Sequence, residues 1–190
     1  GIARDVTDEV EAEQARAASE ARYRELFARS PSPLFLHRRG VVIDANDAAA
    51  RLLDATSAES CRGLDLIELY AEGESRERAR ARAIALERMA VGQGTPMAEF
   101  QLFSLGGRRL HVQASGVRVE APGGPATLSI FFDVTARAQA EAALRRSEAM
   151  LSLLFATSPD CITLTDLASG RYAMVNRTFT CRGPGSGAGN

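Results

Sequence analysis

The chain has 190 residues, 45% of them hydrophobic and 25% charged, with a formal net charge of -1. That balance gives no global case for a nucleic-acid or anionic-membrane binder, and no apolar run reaches the roughly 18 residues of a membrane span. The three cysteines, Cys61, Cys161 and Cys181, are too few and too widely spaced for a disulfide framework or a zinc site. Reduced thiols and a cytoplasmic location are therefore expected. All basic residues are arginine, which a coding bias explains more simply than phosphate recognition does.

In chain order, Thr7 is a hydroxyl N-cap followed by Asp8 and Glu9, and the run to about Arg29 contains neither Pro nor Gly. A helix over 8–30 follows, stopped at Ser30-Pro31 because the residue before proline is pushed out of helical geometry. Pro33 to His37 and Val41 to Asp44 are short apolar strands around the turn Arg38-Arg39-Gly40. Asn46 is placed to cap a helix over Asp47 to Asp54. Residues 57–70 predict a short helical or irregular connection, and Glu74-Ser75 opens a longer helix to about Ala90, ended by Gly92-Gln93-Gly94. Three strands close this region, Ala98 to Phe103, Arg109 to Val119 and Ala126 to Phe132. In the second of them Leu110, Val112 and Ala114 alternate with His111, Gln113 and Ser115, as a half-buried strand requires.

Thr135 then caps a second helix, which runs to Ser158-Pro159, and this is a repeat of the beginning. Asp5–Pro31 recurs as Asp133–Pro159 at a constant shift of 128 positions without a gap. Such a period is too long for a solenoid and suits one small domain plus a linker. Leu144, Leu151 and Leu154 have coiled-coil-like spacing on the second helix, and Val10, Tyr23 and Leu26 hint at the same stripe on the first. A helix packed on its own domain is the alternative. The predicted organisation is the end of an upstream module at 1–7, a linker helix at 8–30, a complete module at 31–135, a linker helix at 136–157 and the start of a further module at 158–190. Strands grouped at both ends of the module with helices between them make the fold class α+β, with an antiparallel sheet and helices on one face.

These residues resemble the PAS (sensory box) family. Gly40-Val41-Val42-Ile43-Asp44-Ala45-Asn46, followed by Ala48, Ala49, Leu52 and Leu53, is similar to that family's opening motif. Arg62-Gly63-Leu64-Asp65-Leu66 resembles the next segment, and Ala98-Glu99-Phe100 through Arg108 its hairpin. Phe131-Phe132-Asp133-Val134-Thr135 matches its closing motif, and Asp5-Val6-Thr7 matches it again. A third partial copy matches through Gly170 to Phe179, after which the Gly- and Pro-rich tail from Cys181 cannot continue the corresponding helix and reads as disordered or artefactual. The resemblance implies a tandem region of a bacterial signalling protein, with a five-stranded antiparallel sheet, helices over a small pocket, and flanking linker helices.

For the pocket lining the resemblance implies Phe35, Ile43, Leu53, Leu66, Ile67, Leu86, Phe100, Val112 and Ile130. No cofactor is expected, although a small-molecule ligand is open. Cys61 falls on an aliphatic position of the family rather than that of a flavin-reactive cysteine, so it reads as a small buried hydrophobe. The long helix has no histidine to bind a haem, and His37 and His111, in or beside strands, read as surface residues. Its arginines, interleaved with Glu74, Glu77 and Glu87, read as a solvated amphipathic face. No nucleophile, acid–base or metal constellation is present, so the fragment itself is not expected to be an enzyme.

Asp133 and Thr135 are expected to fix the junction where the last strand becomes the outgoing helix, with Leu144, Leu151 and Leu154 on the helix seam. The expected function is a sensory and dimerisation module that relays a signal to a C-terminal output domain, that of a sensor histidine kinase. The alternatives are a GGDEF-type diguanylate cyclase parent or a flavin- or haem-bearing redox, light or gas sensor. The expected partners are a second copy through the linker helices and the neighbouring and output domains of the same chain, without nucleic acid or direct membrane contact.

Overall fold

The structure is a computed structural model that describes residue 18 and residues 21–181. The expected upstream end at 1–7, the Thr7 cap, Val10 and the tail beyond Cys181 lie outside the described residues. The chain divides into two units, Gly1–Thr135 and Ala136–Asn190.

In the first unit α1 occupies residues 21–29. It is followed by β1 (Leu34–Arg38), β2 (Val41–Ala45), α2 (Asp47–Leu52), a single 3-10 turn (Glu59–Cys61), α3 (Leu66–Leu69), α4 (Glu74–Glu87), β3 (Ala98–Phe103), β4 (Arg109–Val119) and β5 (Ala126–Asp133). The strands form one antiparallel sheet in the order β2-β1-β5-β4-β3. This is the α+β architecture expected from the order of elements.

Alternation along β4 puts Leu110, Val112, Ala114 and Gly116 on the buried face. On the other strands Phe35, Phe100, Leu102 and Phe131 do the same, and they pack with Ala49, Leu53, Cys61, Leu66 and Tyr70 from the helical layer. Phe35 meets Phe131 edge-on at 5.2 Å, and Tyr70 meets Phe100 at 5.2 Å. Each large side chain buried in this way contributes about 1.5–3 kcal/mol. Cys61 is fully buried in this cluster.

One close approach constrains the loop after α4. It lies along β4, with Gly92 N donating to Arg118 O and Thr95 N to Gly116 O. A Cβ on Gly94 would sit 2.7 Å from the Gly116 carbonyl oxygen and 3.3 Å from Val117 Cα, both backbone atoms. Gly94→Ala is accordingly expected to cost about 1–3 kcal/mol in urea unfolding. An unchanged midpoint would show that the loop moves aside freely.

The second unit comprises most of α5 (Thr135–Thr157), the hairpin β6 (Thr163–Thr165) and β7 (Tyr172–Val175), and α6 (Arg177–Cys181). Its local chemistry repeats that of the first. Asn46 Oδ1 accepts from Leu34 N at 3.1 Å and Ala49 N at 2.9 Å, while its Nδ2 donates to Ser32 O at 2.9 Å. Asn176 Oδ1 accepts from Ile162 N at 3.0 Å and Phe179 N at 3.2 Å, while its Nδ2 donates to Asp160 O at 2.8 Å. In both cases one asparagine caps a short helix and clamps the chain entering the first strand.

Candidate functional site

The interior of the first unit contains a cavity of about 40 Å³ between α4 and the sheet. Of the nine residues expected to line a pocket, Leu66, Ile67, Leu86 and Phe100 line this one. Phe35 and Leu53 are close-packed beside it around Phe131, and Val112 is fully buried in the same core. Ile43 and Ile130 are not in the lining, and both are half-buried. The β1–β2 register slips between Leu36 and His37, pairing Leu36 with Asp44 and His37 with Val42. Ile43 is thereby the bulged residue, and Val42 takes the core position. Ile130 has the wrong parity: Thr127, Ser129 and Phe131 face inward, so Leu128 and Ile130 face the opposite side of the sheet.

The same parity corrects the expectation for His37. It follows Phe35 by two positions on β1, faces the core and is 7% exposed, rather than lying on the surface. Its Nε2 lies 2.9 Å from Ser129 Oγ, and its Nδ1 is the one fully buried side-chain polar atom without a hydrogen-bond partner among the described residues. Burial, reinforced by Arg118 and opposed by Asp65, pushes its pKa down from 6.5 to about 4, so the imidazole is neutral at pH 7. Arg82 also departs from the solvated reading of α4. It lines the cavity, donates through Nη2 to Pro96 O and Ala114 O, and lies 6.0 Å from the Phe100 ring centre. Of the other α4 arginines, Arg76 is mostly covered and donates to Tyr70 O and Glu68 O, Arg78 lies 5.2 Å from the Phe100 ring centre, and Arg76, Arg78 and Arg80 pair with Glu68, Glu72 and Glu74.

A second polar cluster lies where β5 ends. Thr135 N donates to Asp133 Oδ1 at 2.9 Å, and Thr135 Oγ1 accepts from His111 N at 2.9 Å. Val134 N donates to His111 O at 2.9 Å, fixing the residue before α5 to β4. Arg108, on the turn before β4, reaches Asp133 Oδ2 at 3.7 Å and Asp54 Oδ1 at 3.1 Å, and donates to Leu52 O at 3.3 Å. Its hydrogen bond holds the Asp54 carboxyl below its usual pKa and raises that of Arg108. Arg108 and Asp54 were not singled out from sequence; the run Gly106-Gly107-Arg108 marks a turn but not what its arginine touches.

Leu144, Leu151 and Leu154 on α5 are all more than half exposed. In the second unit, Leu151, Leu154, Phe155, Ile162 and Met174 line an apolar groove of about 830 Å³. Among the described residues there is no cluster of metal-ligating side chains, and no helix is long and apolar enough to cross a membrane.

A family model described as "PAS domain" matches residues 21–86. Solved structures agree over a longer stretch. The PAS domain of an HTR-like protein from Haloarcula marismortui aligns with a TM-score of 0.51 and 17% identity, covering 65% of this chain and 98% of that one. A PAS domain from Colwellia psychrerythraea aligns with a TM-score of 0.51 and 17% identity, covering 61% and 97%. An RNA-binding light-oxygen-voltage receptor aligns with a TM-score of 0.54 and 18% identity, covering 70% of this chain and 38% of its own. At these identities the likeness is one of fold. No curated protein matches the chain.

Proposed function

We propose that residues 31–135 form a sensory PAS module whose output passes through α5, a reading supported by the PAS-domain model that matches residues 21–86. The observation that carries the reading is the Asp133–Thr135–Arg108 cluster. One arginine joins the end of α2, the β3–β4 turn and the end of β5. A shift of α2 or the sheet on ligand binding is felt at the residue from which α5 starts. Two arrangements of that junction would bias two arrangements of the outgoing helix.

The exposed leucines of α5 support pairing with a second copy through Leu144, Leu151 and Leu154. Residues 158–190 are proposed as the start of a further module, supported by the duplicated asparagine clamp, with residues 1–7 the end of an upstream one and 8–30 and 136–157 the linkers. The parent is proposed to be a bacterial signalling protein, a sensor histidine kinase, with a diguanylate cyclase as the alternative output. A flavin or haem is the weaker reading for the input, since ligand pockets of that class run to several hundred Å³ and this cavity holds about 40 Å³.

The test is Asp133→Ala in the full-length parent, read as output activity with and without stimulus. The variant is expected to fold with a melting temperature within a few degrees of wild type, because the side chain is partly exposed. Its stimulated-to-basal ratio is expected to fall towards one. A preserved ratio would remove Asp133 from the relay. Leu151→Glu with Leu154→Glu is expected to convert a dimer into a monomer in light scattering; an unchanged mass would sink the seam assignment.

A further inference from the structure

We propose that the cavity between α4 and the sheet is a binding site for a short-chain monocarboxylate of one or two carbons, held by His37 and Arg82. The proposal rests on the sensory reading only in treating this cavity as the module's input.

Size comes first. A buried water needs about 10–15 Å³ of comparable space, so a cavity of about 40 Å³ admits roughly three or four non-hydrogen atoms. Charge comes next. Arg82 is the one ionised residue of the lining at pH 7, no acid lines the cavity, and Arg82's hydrogen bonds to described residues both run through Nη2. Its other guanidinium nitrogens remain to meet a carboxylate.

Third is the unpartnered His37 Nδ1. If the Ser129 hydroxyl donates to Nε2, the neutral ring carries its proton on Nδ1 and donates it to a carboxylate oxygen. A buried donor left without an acceptor is costly, and a ligand oxygen relieves that cost. Besides Tyr70 and Ser115 the rest of the wall, including Ala79, Ala83, Leu86 and Phe131, is apolar and uncharged, and it suits a methyl group but no second carboxylate.

Gly116 keeps the space open. A Cβ there would meet Leu86 Cδ1 at 3.0 Å, Ser129 Oγ at 3.0 Å and Thr127 Cγ2 at 3.2 Å. Alanine at this position takes up cavity space and crowds Leu86 Cδ1 and Ser129 Oγ, the partner of His37 Nε2.

The experiment is titration of the 190-residue chain with sodium formate and sodium acetate, with sodium chloride matching ionic strength, read by melting temperature and calorimetry. Saturable binding is expected with Kd of about 0.1–10 mM, given the limit on affinity for so few atoms. The melting temperature should rise by several degrees at about 100-fold excess over Kd. His37→Leu, which replaces a buried polar group by an apolar one of similar size, should still fold and should weaken acetate binding at least tenfold. Gly116→Ala should weaken it comparably. In nitrogen-15 spectra the His37 ring should show a protonated Nδ1 whose signal moves on addition of acetate. Ethanol binding as tightly as acetate would overturn the charge assignment, and unchanged binding in both variants would overturn the site. No saturable binding of either acid, with an Nδ1 signal indifferent to both, would mean trapped water alone and would end the proposal. None of these outcomes bears on the Asp133 junction, so the relay stands or falls separately.

Discussion

Asn46→Ala is expected to lower the stability of the first unit by about 3 kcal/mol or more. The side chain is 1% exposed and joins five backbone groups. Its Oδ1 accepts from Leu34 N and Ala49 N, and its Nδ2 donates to Phe27 O, Ser30 O and Ser32 O. Loss of the helix cap alone costs about 1 kcal/mol. Each buried backbone group left unpaired adds up to about 1–3 kcal/mol, reduced where water can enter. Asn46→Asp separates the two roles, because it keeps the cap acceptor but sets a carboxylate against three carbonyl oxygens. It is expected to be nearly as damaging. Urea unfolding followed by circular dichroism checks both variants, and an Asn46→Ala within about 0.5 kcal/mol of wild type would show that the clamp carries no weight.

The second large effect is acid lability from His37. Its pKa in the folded state is about 4 against an ordinary 6.5. Between those values the unfolded chain binds a proton that the folded chain refuses, so stability rises with pH across the window. Above pH 6.5 there is no penalty, and by pH 4 or below it is fully imposed. The drop of about 2.5 pH units corresponds to roughly 3 kcal/mol. His37→Leu should flatten the stability profile between pH 6.5 and 4 while leaving the loss at lower pH. That lower range belongs to carboxylates such as Asp54, whose pKa is depressed by Arg108 and whose contribution is lost as pH falls below its ordinary 3.8. A wild-type profile flat from pH 6.5 to 4 would mean that the imidazole is accessible to water in solution.

Asn46 and His37 serve different parts of the molecule, and they were unequally legible in the sequence. Asn46 was recognisable, since an asparagine between an apolar strand and an Ala-rich segment is a helix cap. The limits of β3 and β4 were legible to the residue, because Gly106-Gly107 and Pro122-Gly123-Gly124 punctuate them and β4 alternates cleanly. Asp133 and Thr135 were singled out from a motif that occurs twice, and the folded chain joins them by a hydrogen bond where α5 begins. Their partner Arg108 was not legible, because it reaches Asp54 and Asp133 from a turn distant in sequence from both.

By itself, then, the sequence determined the order of elements, the α+β class, the duplication and the Asn46 cap, since propensity, turn chemistry and periodicity act over a few neighbouring residues, whereas the Thr135 hydroxyl expected to cap α5 bonds to His111 instead. Tertiary structure alone decided which face of two strands is the inside. β1 reads Leu34-Phe35-Leu36-His37 and β5 reads Leu128-Ser129-Ile130-Phe131-Phe132, runs in which apolar residues occupy both parities. A period-two pattern cannot orient such strands, so the side that meets the helices is set by long-range pairing and by the bulge at Ile43. That choice turned Ile130 away from the core, brought Ser129 inward and buried His37 beside it, which is why the polar end of the cavity could be found only in the folded chain.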